Sequence, residues 1–242
     1  METAKIGISE HKIRIVGSSH IARQSIEDIK AALSSFKPDI IALELDRQRY
    51  DGLLSRKKGR ISFYSIRQIG FKGFIFALIG SWASNKLGKI VKMKPGTEMV
   101  FATHQAKKRG LKIELIDQDI QITLSRLSKK ISRKEKWNFV ADTFKAIFVR
   151  KHREELALMS FDLHKVPSEY LVKQLLGRVR DRYPNTYAAL VSERNVYMAH
   201  RLMQIAAQNP GKKILAVVGA GHVEGIEELL RAPDITYSFR IV

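Results

Sequence analysis

The stretch KILAVVGAGHVEGIEELL, residues 213–230, decides the fold of this chain. It opens on an almost wholly apolar run, as expected of a strand buried on both faces, and passes through Gly-x-x-His into a segment whose apolar residues recur every three to four positions. A second stretch of the same kind, KIRIVGSSHIARQSIEDI, occupies residues 12–29. Both stretches predict a strand, a Gly-x-x-His motif and a helix in succession.

Further strands and helices are predicted between and after these two stretches. Short apolar runs predict strands, and apolar residues at helical spacing predict helices. The predicted strands are residues 12–16, 39–43, 111–116, 212–218 and 236–242. The predicted helices are residues 21–36, 98–110 and 185–208, and residues 219–232 are predicted to form a turn followed by a helix. Alternating strands and helices indicate an α/β fold with a central, mainly parallel sheet, flanked by helices and closed by an antiparallel edge strand at 236–242.

The positive charge is concentrated in two segments of the chain. Its 242 residues, 45% of them hydrophobic, predict a single domain, 1–242, with a formal net charge of +19. Residues 51–96 hold ten Lys and Arg against one acid, and residues 121–153 hold ten against two, so these segments carry +17 of the +19. We therefore predict a nearly neutral framework with two basic helical inserts, at about 51–96 and 121–184.

Several classes of protein are excluded by what the sequence lacks. There is no cysteine, which excludes disulfides, thiolate metal sites and a cysteine nucleophile. No Gly-x-Gly-x-x-Gly follows a strand, and no Walker loop is present. The sequence shows no signal peptide and no uncharged stretch of about 20 residues that would span a bilayer. We expect a cytoplasmic protein, with peripheral membrane contact as an open alternative.

His and carboxylate residues follow the predicted strands. In an open α/β sheet, ligands bind beyond the carboxyl ends of the strands. The candidates at these ends are His20 after Gly17, then Glu44 with Asp46 and Arg49, then Asp117 and Asp119, and finally His222 after Gly219. Glu98 near the start of its helix, and Glu193, Arg194 and His200 in a later helix, could join them.

The chemistry that these residue types allow is hydrolytic. Imidazoles and carboxylates without thiols suit a divalent ion such as Zn, Mn or Co, which lowers the pKa of bound water while an Arg holds the developing oxyanion. Without a metal, a His with a reference pKa of about 6.5 could itself activate water.

These motifs resemble the TraB/PrgY (pheromone shutdown) family, which is related to the Tiki metalloproteases and to the erythromycin esterase-like and ChaN-like proteins. The resemblance covers nearly the whole chain. It rests on GSSHIA at 17–22, PDIIALELDRQRY at 38–50, PGTEM at 95–99, GLKIELIDQDIQITLSRL at 110–127, ERNVYMA at 193–199 and VVGAGHVEGI at 217–226.

The resemblance implies a metal-dependent, peptidase-like hydrolase acting on a peptide or a small molecule. It implies a divalent metal held by His20, His222, Glu44 and Glu98, and catalytic roles for Glu44, Arg49, Glu98, Arg126 and Arg194. Gln118 and Asn195 stand where relatives commonly have Arg and Asp.

Other interpretations of the same residues remain open. Glu44, Arg49 and Glu98 are also compatible with an internal salt bridge, and Asp117 and Asp119 with caps of the next helix. The aromatic, basic residues of 51–96 suit a hydrophobic lid, a homodimer contact or a surface helix on an anionic membrane. The alternative function is a non-catalytic protein that sequesters a peptide or ligand at such a membrane. Nucleic-acid binding is not expected, because only the charge supports it.

Overall fold

The sheet is parallel throughout the part of the chain that the computed structural model describes, which is residues 12–18, 23–54, 96–148 and 169–231. Its strands are β1 (Ile13–Ser18), β2 (Ile40–Leu43), β3 (Lys112–Leu115) and β4 (Ile214–Gly219). They lie in the order β1-β4-β2-β3, so that β4 is hydrogen-bonded to both β1 and β2.

The register of the strands brings their carboxyl ends to one edge of the sheet. Ser18 of β1 pairs with Gly219 of β4, and Leu43 of β2 pairs with both Val217 and Leu115. Each side chain that follows one of these strands therefore emerges at the same edge, which is where an open α/β sheet binds ligands.

Helices connect the strands and cover both faces of the sheet. In chain order they are α1 (Arg23–Phe36), α2 (Arg47–Leu54), α3 (Thr97–Lys108), α4 (Ile120–Lys130), α5 (Arg133–Phe148), α6 (Glu169–Arg182), α7 (Pro184–Tyr187), a π-helical turn (Ala188–Ser192), α8 (Glu193–Gln208) and α9 (Ala220–Arg231). The predicted helix at 185–208 is thus interrupted by the π-helical turn.

The hydrophobic core has two layers, one on each face of the sheet. Ala216 and Val218 of β4 pack with residues of α8 and α9 such as Leu202 and Ile226. Leu215 and Val217 of the same strand pack on the opposite side, with residues of α1 and α3. A strand buried on both faces reads as a continuous apolar run because successive side chains point to opposite faces.

The first four predicted strands are confirmed, each with its ends shifted by no more than two residues. The turn predicted at the start of 219–232 is wrong, because α9 begins at Ala220, directly after β4, and His222 therefore lies in the first helical turn. The antiparallel edge strand at 236–242 lies outside the described residues, as does the first basic insert apart from its two ends. Within the second, the described residues at 121–148 and 169–184 are largely helical.

Crossing a membrane requires a helix that is both long and apolar. No helix within residues 12–18, 23–54, 96–148 and 169–231 is long and apolar enough to do so.

Candidate functional site

Three side chains from different parts of the chain meet where the strands end. Glu44 follows β2 directly, and its N–H donates to the carbonyl oxygen of Val217 at 3.0 Å. Asp117 follows β3 after one further residue, and His222 lies in the first turn of α9. The sheet itself therefore places two carboxylates and an imidazole beside one another.

Arg194, near the start of α8, lies at the centre of this group. Its Nη2 donates to Glu44 Oε1 and, at 2.6 Å, to Asp117 Oδ2. Its Nε donates to Asp117 Oδ1 at 3.0 Å, which completes a bidentate pair. Its Nη1 lies 3.0 Å from His222 Nε2. One guanidinium thus contacts all three side chains.

Arg194 and its carboxylate partners are buried. The side chain of Arg194 is 14% exposed, that of Glu44 4% and that of Asp117 1%. Burial by itself would lower the pKa of Arg194, but the hydrogen bonds and charges of Asp117 and Glu44 raise it above its usual value. The guanidinium is therefore a permanent positive charge inside the protein.

The π-helical turn before α8 helps to orient this side chain. Arg194 Nη1 donates to the carbonyl oxygen of Leu190, which lies in that turn, at 3.1 Å. Single π-helical turns occur frequently at functional sites. Here the turn supplies an acceptor that fixes the guanidinium on the side facing the strand ends.

The orientation and the protonation of His222 follow from its two neighbours. Its Nδ1 lies 2.5 Å from Asn195 Oδ1, and its Nε2 faces Arg194. Because arginine only donates hydrogen bonds, Nε2 carries the lone pair, and Nδ1–H donates to Asn195. The ring is thus a neutral imidazole, with its Nε2 3.5 Å from Glu44 Oε1.

Two glycines allow the elements around His222 to approach closely. A Cβ on Gly225 would lie 2.2 Å from Asn195 Nδ2, and a Cβ on Gly17 would lie 2.9 Å from Val223 Cγ2. The first glycine leaves room for the side chain that holds His222. The second explains the glycine of the first Gly-x-x-His motif, because α9 passes directly over the end of β1.

Arg49 supports the group from the side of α2. Its Nε donates to Asp46 Oδ2 at 2.7 Å, and its Nη2 donates to Asp117 Oδ2. Asp117 therefore accepts hydrogen bonds from two guanidiniums. Glu44 is held in a similar way, because its Oε2 accepts from the backbone N–H of Gly219 while its Oε1 accepts from Arg194.

Arg126 belongs to a second, neighbouring cluster. Its Nη1 donates to Glu193 Oε2 at 3.1 Å and to Gln118 Oε1 at 3.3 Å. Lys130 forms a further ion pair with Glu193. The two clusters adjoin because Gln118 follows Asp117 and Glu193 precedes Arg194.

Glu98 is buried in the first turn of α3, 1% exposed. Met99, next to Glu98 in sequence, belongs to the same core cluster as Leu43 and Leu45, which flank Glu44. His20 lies outside the described residues.

The sequence of the chain identifies its relatives. Residues 5–238 match the TraB/PrgY/gumN family. The chain belongs to this family.

The TraB-family relatives are longer than this chain. An uncharacterised protein of Methanocaldococcus jannaschii is 35% identical over 229 residues, which cover 93% of this chain and 55% of that protein. TraB domain-containing proteins of Mus musculus and Homo sapiens are each 24% identical over 241 residues, which cover 90% of this chain and 62% of those proteins. The chain thus spans between half and two thirds of the length of these relatives.

The predicted metal site of this TraB-family chain is only partly formed by the described residues. Among the described residues, which do not include His20, there is no group of three His, Asp or Glu side chains arranged to hold a metal ion. Glu44 and His222 do lie together, but the guanidinium of Arg194 donates to both.

A pocket of about 620 Å³ lies between α6 and α9. Gly17 and Asn195 contribute to its wall, together with residues of α9 such as Glu224 and Glu228, which lie on the side of the helix away from His222. The pocket therefore adjoins Asn195, the partner of His222, and not the imidazole itself.

The structure thus brings together Glu44, Arg194 and His222, and it joins Arg49 to them through Asp117. Asp117, for which a helix cap was the alternative explanation, pairs with both Arg49 and Arg194. That explanation fits Asp119 instead, whose side chain accepts from the N–H of Gln121 at the start of α4.

Proposed function

We propose that this TraB-family chain is a hydrolase whose reaction takes place at the carboxyl edge of the sheet. The observation that carries the proposal is the buried guanidinium of Arg194 in contact with Glu44, Asp117 and His222. A fixed cation beside a neutral imidazole and a carboxylate can bind an anionic transition state next to a group that accepts protons.

A divalent ion, Zn, Mn or Co, is part of this proposal. In a tetrahedral zinc site, bonds of 2.0–2.2 Å place two ligand atoms about 3.4 Å apart. His222 Nε2 and Glu44 Oε1 are 3.5 Å apart, close to that spacing. These two side chains fit an ion, with His20 and Glu98 as the proposed further ligands. When bound, the ion would supply a Lewis acid and a water of lowered pKa.

Each protein side chain then has a stated task. Asn195 holds His222 in the tautomer that presents Nε2. Arg194, which now donates to both proposed ligands, would release Glu44 and His222 to an ion and retain its bidentate contact with Asp117. Its freed N–H groups would then be available to a substrate oxyanion. Arg49 holds Asp117 in place, and Arg126 supports Glu193 beside Arg194.

The substrate is proposed to be a peptide or another small molecule. The pocket of about 620 Å³ between α6 and α9 is large enough for several residues of a peptide. Lys173, Arg180 and Glu228 at its wall could pair with charged substrate groups. The similarity to the Tiki metalloproteases, which rests on the sequence motifs, favours a peptide.

Metal binding by protein purified without a His tag tests this proposal. We expect wild-type protein to bind about one Zn, Mn or Co ion per chain, and His222→Ala and Glu44→Gln to weaken binding by tenfold or more in isothermal titration calorimetry. His104→Ala removes an exposed imidazole from α3 and is the matched control. Peptide hydrolysis is then measured with each ion and after chelation.

The results separate the parts of the proposal. Wild-type protein that binds none of the three ions would show that the metal assignment is wrong. Hydrolysis that survives chelation and disappears in His222→Ala would instead assign the water activation to the imidazole alone.

A non-catalytic, ligand-sequestering protein is the second candidate. It is favoured by the complete pairing of Arg194 with side chains of the protein itself, which is also the arrangement of a structural ion-pair cluster. Under this alternative, a peptide binds to the wild-type protein but is recovered intact after long incubation with every ion.

A further inference from the structure

Helix α5 carries apolar side chains on its outer surface. Trp137 is 73% exposed and Val140 is 43% exposed. In a surface helix of a soluble protein, the apolar stripe ordinarily faces the core. The two side chains lie three positions apart on one face of the helix and are therefore neighbours.

Polar side chains on the inner face of α5 fix the orientation of the helix. Glu135 accepts from the backbone N–H groups of Asn185 and Thr186 at 2.9 and 3.0 Å. One turn later, Asn138 Nδ2 donates to the carbonyl oxygen of Arg182 at 3.2 Å. A further turn on, Asp142 accepts from the hydroxyl of Tyr183 at 2.6 Å. Trp137 cannot turn inward without breaking these bonds.

Exposed cations surround the two apolar side chains. Arg133, Lys134 and Lys136 are exposed, and none of them forms an ion pair with another of the described residues. At 100° per residue, Arg133 and Lys136 fall on the half of the helix that carries Trp137 and Val140, and Lys134 lies at the border of that half.

No acid offsets these charges on the outer half of the helix over residues 133–142. The two acids of this range, Glu135 and Asp142, belong to the inner face and are engaged there. The outer face is thus apolar at its centre and positive at its margins.

We infer that the outer face of α5 is a peripheral binding surface for a membrane rich in anionic lipid. Tryptophan is favoured at the boundary between headgroups and acyl chains, where Val140 would also leave water. Each Lys or Arg close to an anionic leaflet adds favourable electrostatic energy.

A second copy of the chain fits this face less well than a membrane does. In a twofold-symmetric dimer through α5, Arg133, Lys134 and Lys136 would meet the same cations of the other copy. The inference is independent of the proposed hydrolase, and it concerns a different segment from the insert at 51–96, for which membrane contact was one of three open interpretations.

Tryptophan fluorescence tests the inference directly. Trp82 is the only other tryptophan, so Trp82→Phe makes Trp137 the sole reporter. We expect its emission to shift to shorter wavelength with vesicles of an equal mixture of phosphatidylglycerol and phosphatidylcholine, and to stay unchanged with phosphatidylcholine alone. High salt should reverse the shift.

Co-sedimentation with the same vesicles provides a second measurement, which does not depend on Trp82→Phe. Trp137→Ser and the double variant Lys134→Gln/Lys136→Gln should each weaken binding by about tenfold or more. Lys107→Gln/Lys108→Gln removes two exposed cations from the end of α3 and is the matched control, with a change of less than about twofold expected.

Several results would overturn the inference. The first is that wild-type protein does not bind mixed vesicles at low salt, and the second is that the α3 control loses as much binding as the α5 variants. A shift of Trp137 emission that depends on protein concentration without vesicles would assign the face to a second copy. Binding of DNA by wild-type protein without lipid binding would assign it to nucleic acid.

Discussion

Asn195 fixes the orientation of the His222 ring, and Gly225 leaves the space that the Asn195 side chain occupies. The amide of Asn195 holds His222 Nδ1 at 2.5 Å, while its Nδ2 occupies the space that a Cβ on Gly225 would require. The imidazole is therefore positioned by a contact between α8 and α9 that only a glycine permits.

Gly225→Ala is expected to lower the free energy of unfolding by about 1–3 kcal/mol, because the new methyl group must displace Asn195. Loss of the Asn195 contact should also free the imidazole ring, which NMR of the His222 side chain would detect. Urea denaturation measures the change in stability.

Gly177→Ala is the matched control for this substitution. Gly177 lies in α6, and a Cβ there would meet nothing within 4 Å. The variant should be as stable as wild type or more stable by about 0.4–1 kcal/mol. Equal effects of the two substitutions would contradict the role given to Asn195.

Individual residues of the site were predictable only where the sheet itself places them. Glu44 follows a buried strand and was expected at the carboxyl edge. Asn195 lies in α8, and its contact with His222 depends on how α8 and α9 cross. Sequence periodicity carries no information about that crossing.

At the level of elements, Glu135 joins the beginnings of two helices. Its Oε2 accepts from the N–H of Ser132 at 2.9 Å, and its own N–H donates to Ser132 Oγ at 3.1 Å, which is a capping box at the start of α5. Its Oε1 accepts from the N–H groups of Asn185 and Thr186 at the start of α7.

Glu135 should make stability depend on pH in the acid range. Burial would raise its pKa, but the hydrogen bonds from Ser132, Thr186 and Asn185 lower it from 4.5 to about 2. A lowered pKa means that the stabilisation is complete above about pH 4.5 and is lost as the pH falls towards 2. The free energy of unfolding of wild-type protein should therefore exceed that of Glu135→Gln at pH 5, and this difference should disappear as the pH falls towards 2. Urea denaturation at each pH measures it.

Glu227→Gln provides the comparison for the pH series. Glu227 pairs with Arg231, one turn further along α9, at the surface. The free energy of unfolding of Glu227→Gln should therefore differ little from that of wild type at every pH. If the difference in unfolding free energy between wild type and Glu135→Gln does not vary between pH 5 and 2, the Glu135 carboxylate is not responsible for the pH dependence of stability.

The elements themselves were largely predictable, but the orientation of α5 was not. β2 and β4 were recognised as buried strands because uninterrupted apolar runs are typical of a parallel sheet. In α5 the inner face is set by Glu135, Asn138 and Asp142, whose partners at 182–186 come 41 to 51 residues later in the chain. No local pattern indicates such partners.

Across the whole molecule, Arg194 connects parts of the chain that are far apart in sequence. Glu44, Asp117 and His222 come from three different strand ends, and α8 supplies the cation between them. The convergence of the strand ends was predictable from the parallel sheet. The central place of Arg194 was not, because it depends on the position of α8 over the sheet.

Arg194→Gln is expected to lower the free energy of unfolding by about 3–5 kcal/mol, because it leaves Glu44 and Asp117 buried without their common cation. Arg201→Gln, in the same helix, removes an arginine that is 33% exposed and contacts Gln204 and Glu114, so its cost should stay below about 1 kcal/mol. Urea denaturation compares the two variants. Similar urea midpoints of unfolding for the two variants would contradict a central role for Arg194.

The strand order also has a consequence for how the protein forms during synthesis. β1 and β2 are made early but share no hydrogen bonds, because β4, the last of the four strands to leave the ribosome, lies between them. Before β4 is made, β1 is linked to the β2–β3 pair through α1, whose Ile29 and Leu33 belong to the same core cluster as Ile41 and Leu43 of β2. The sheet becomes continuous when residues 214–219 arrive, and until then the facing edges of β1 and β2 remain open to chaperones or to other nascent chains.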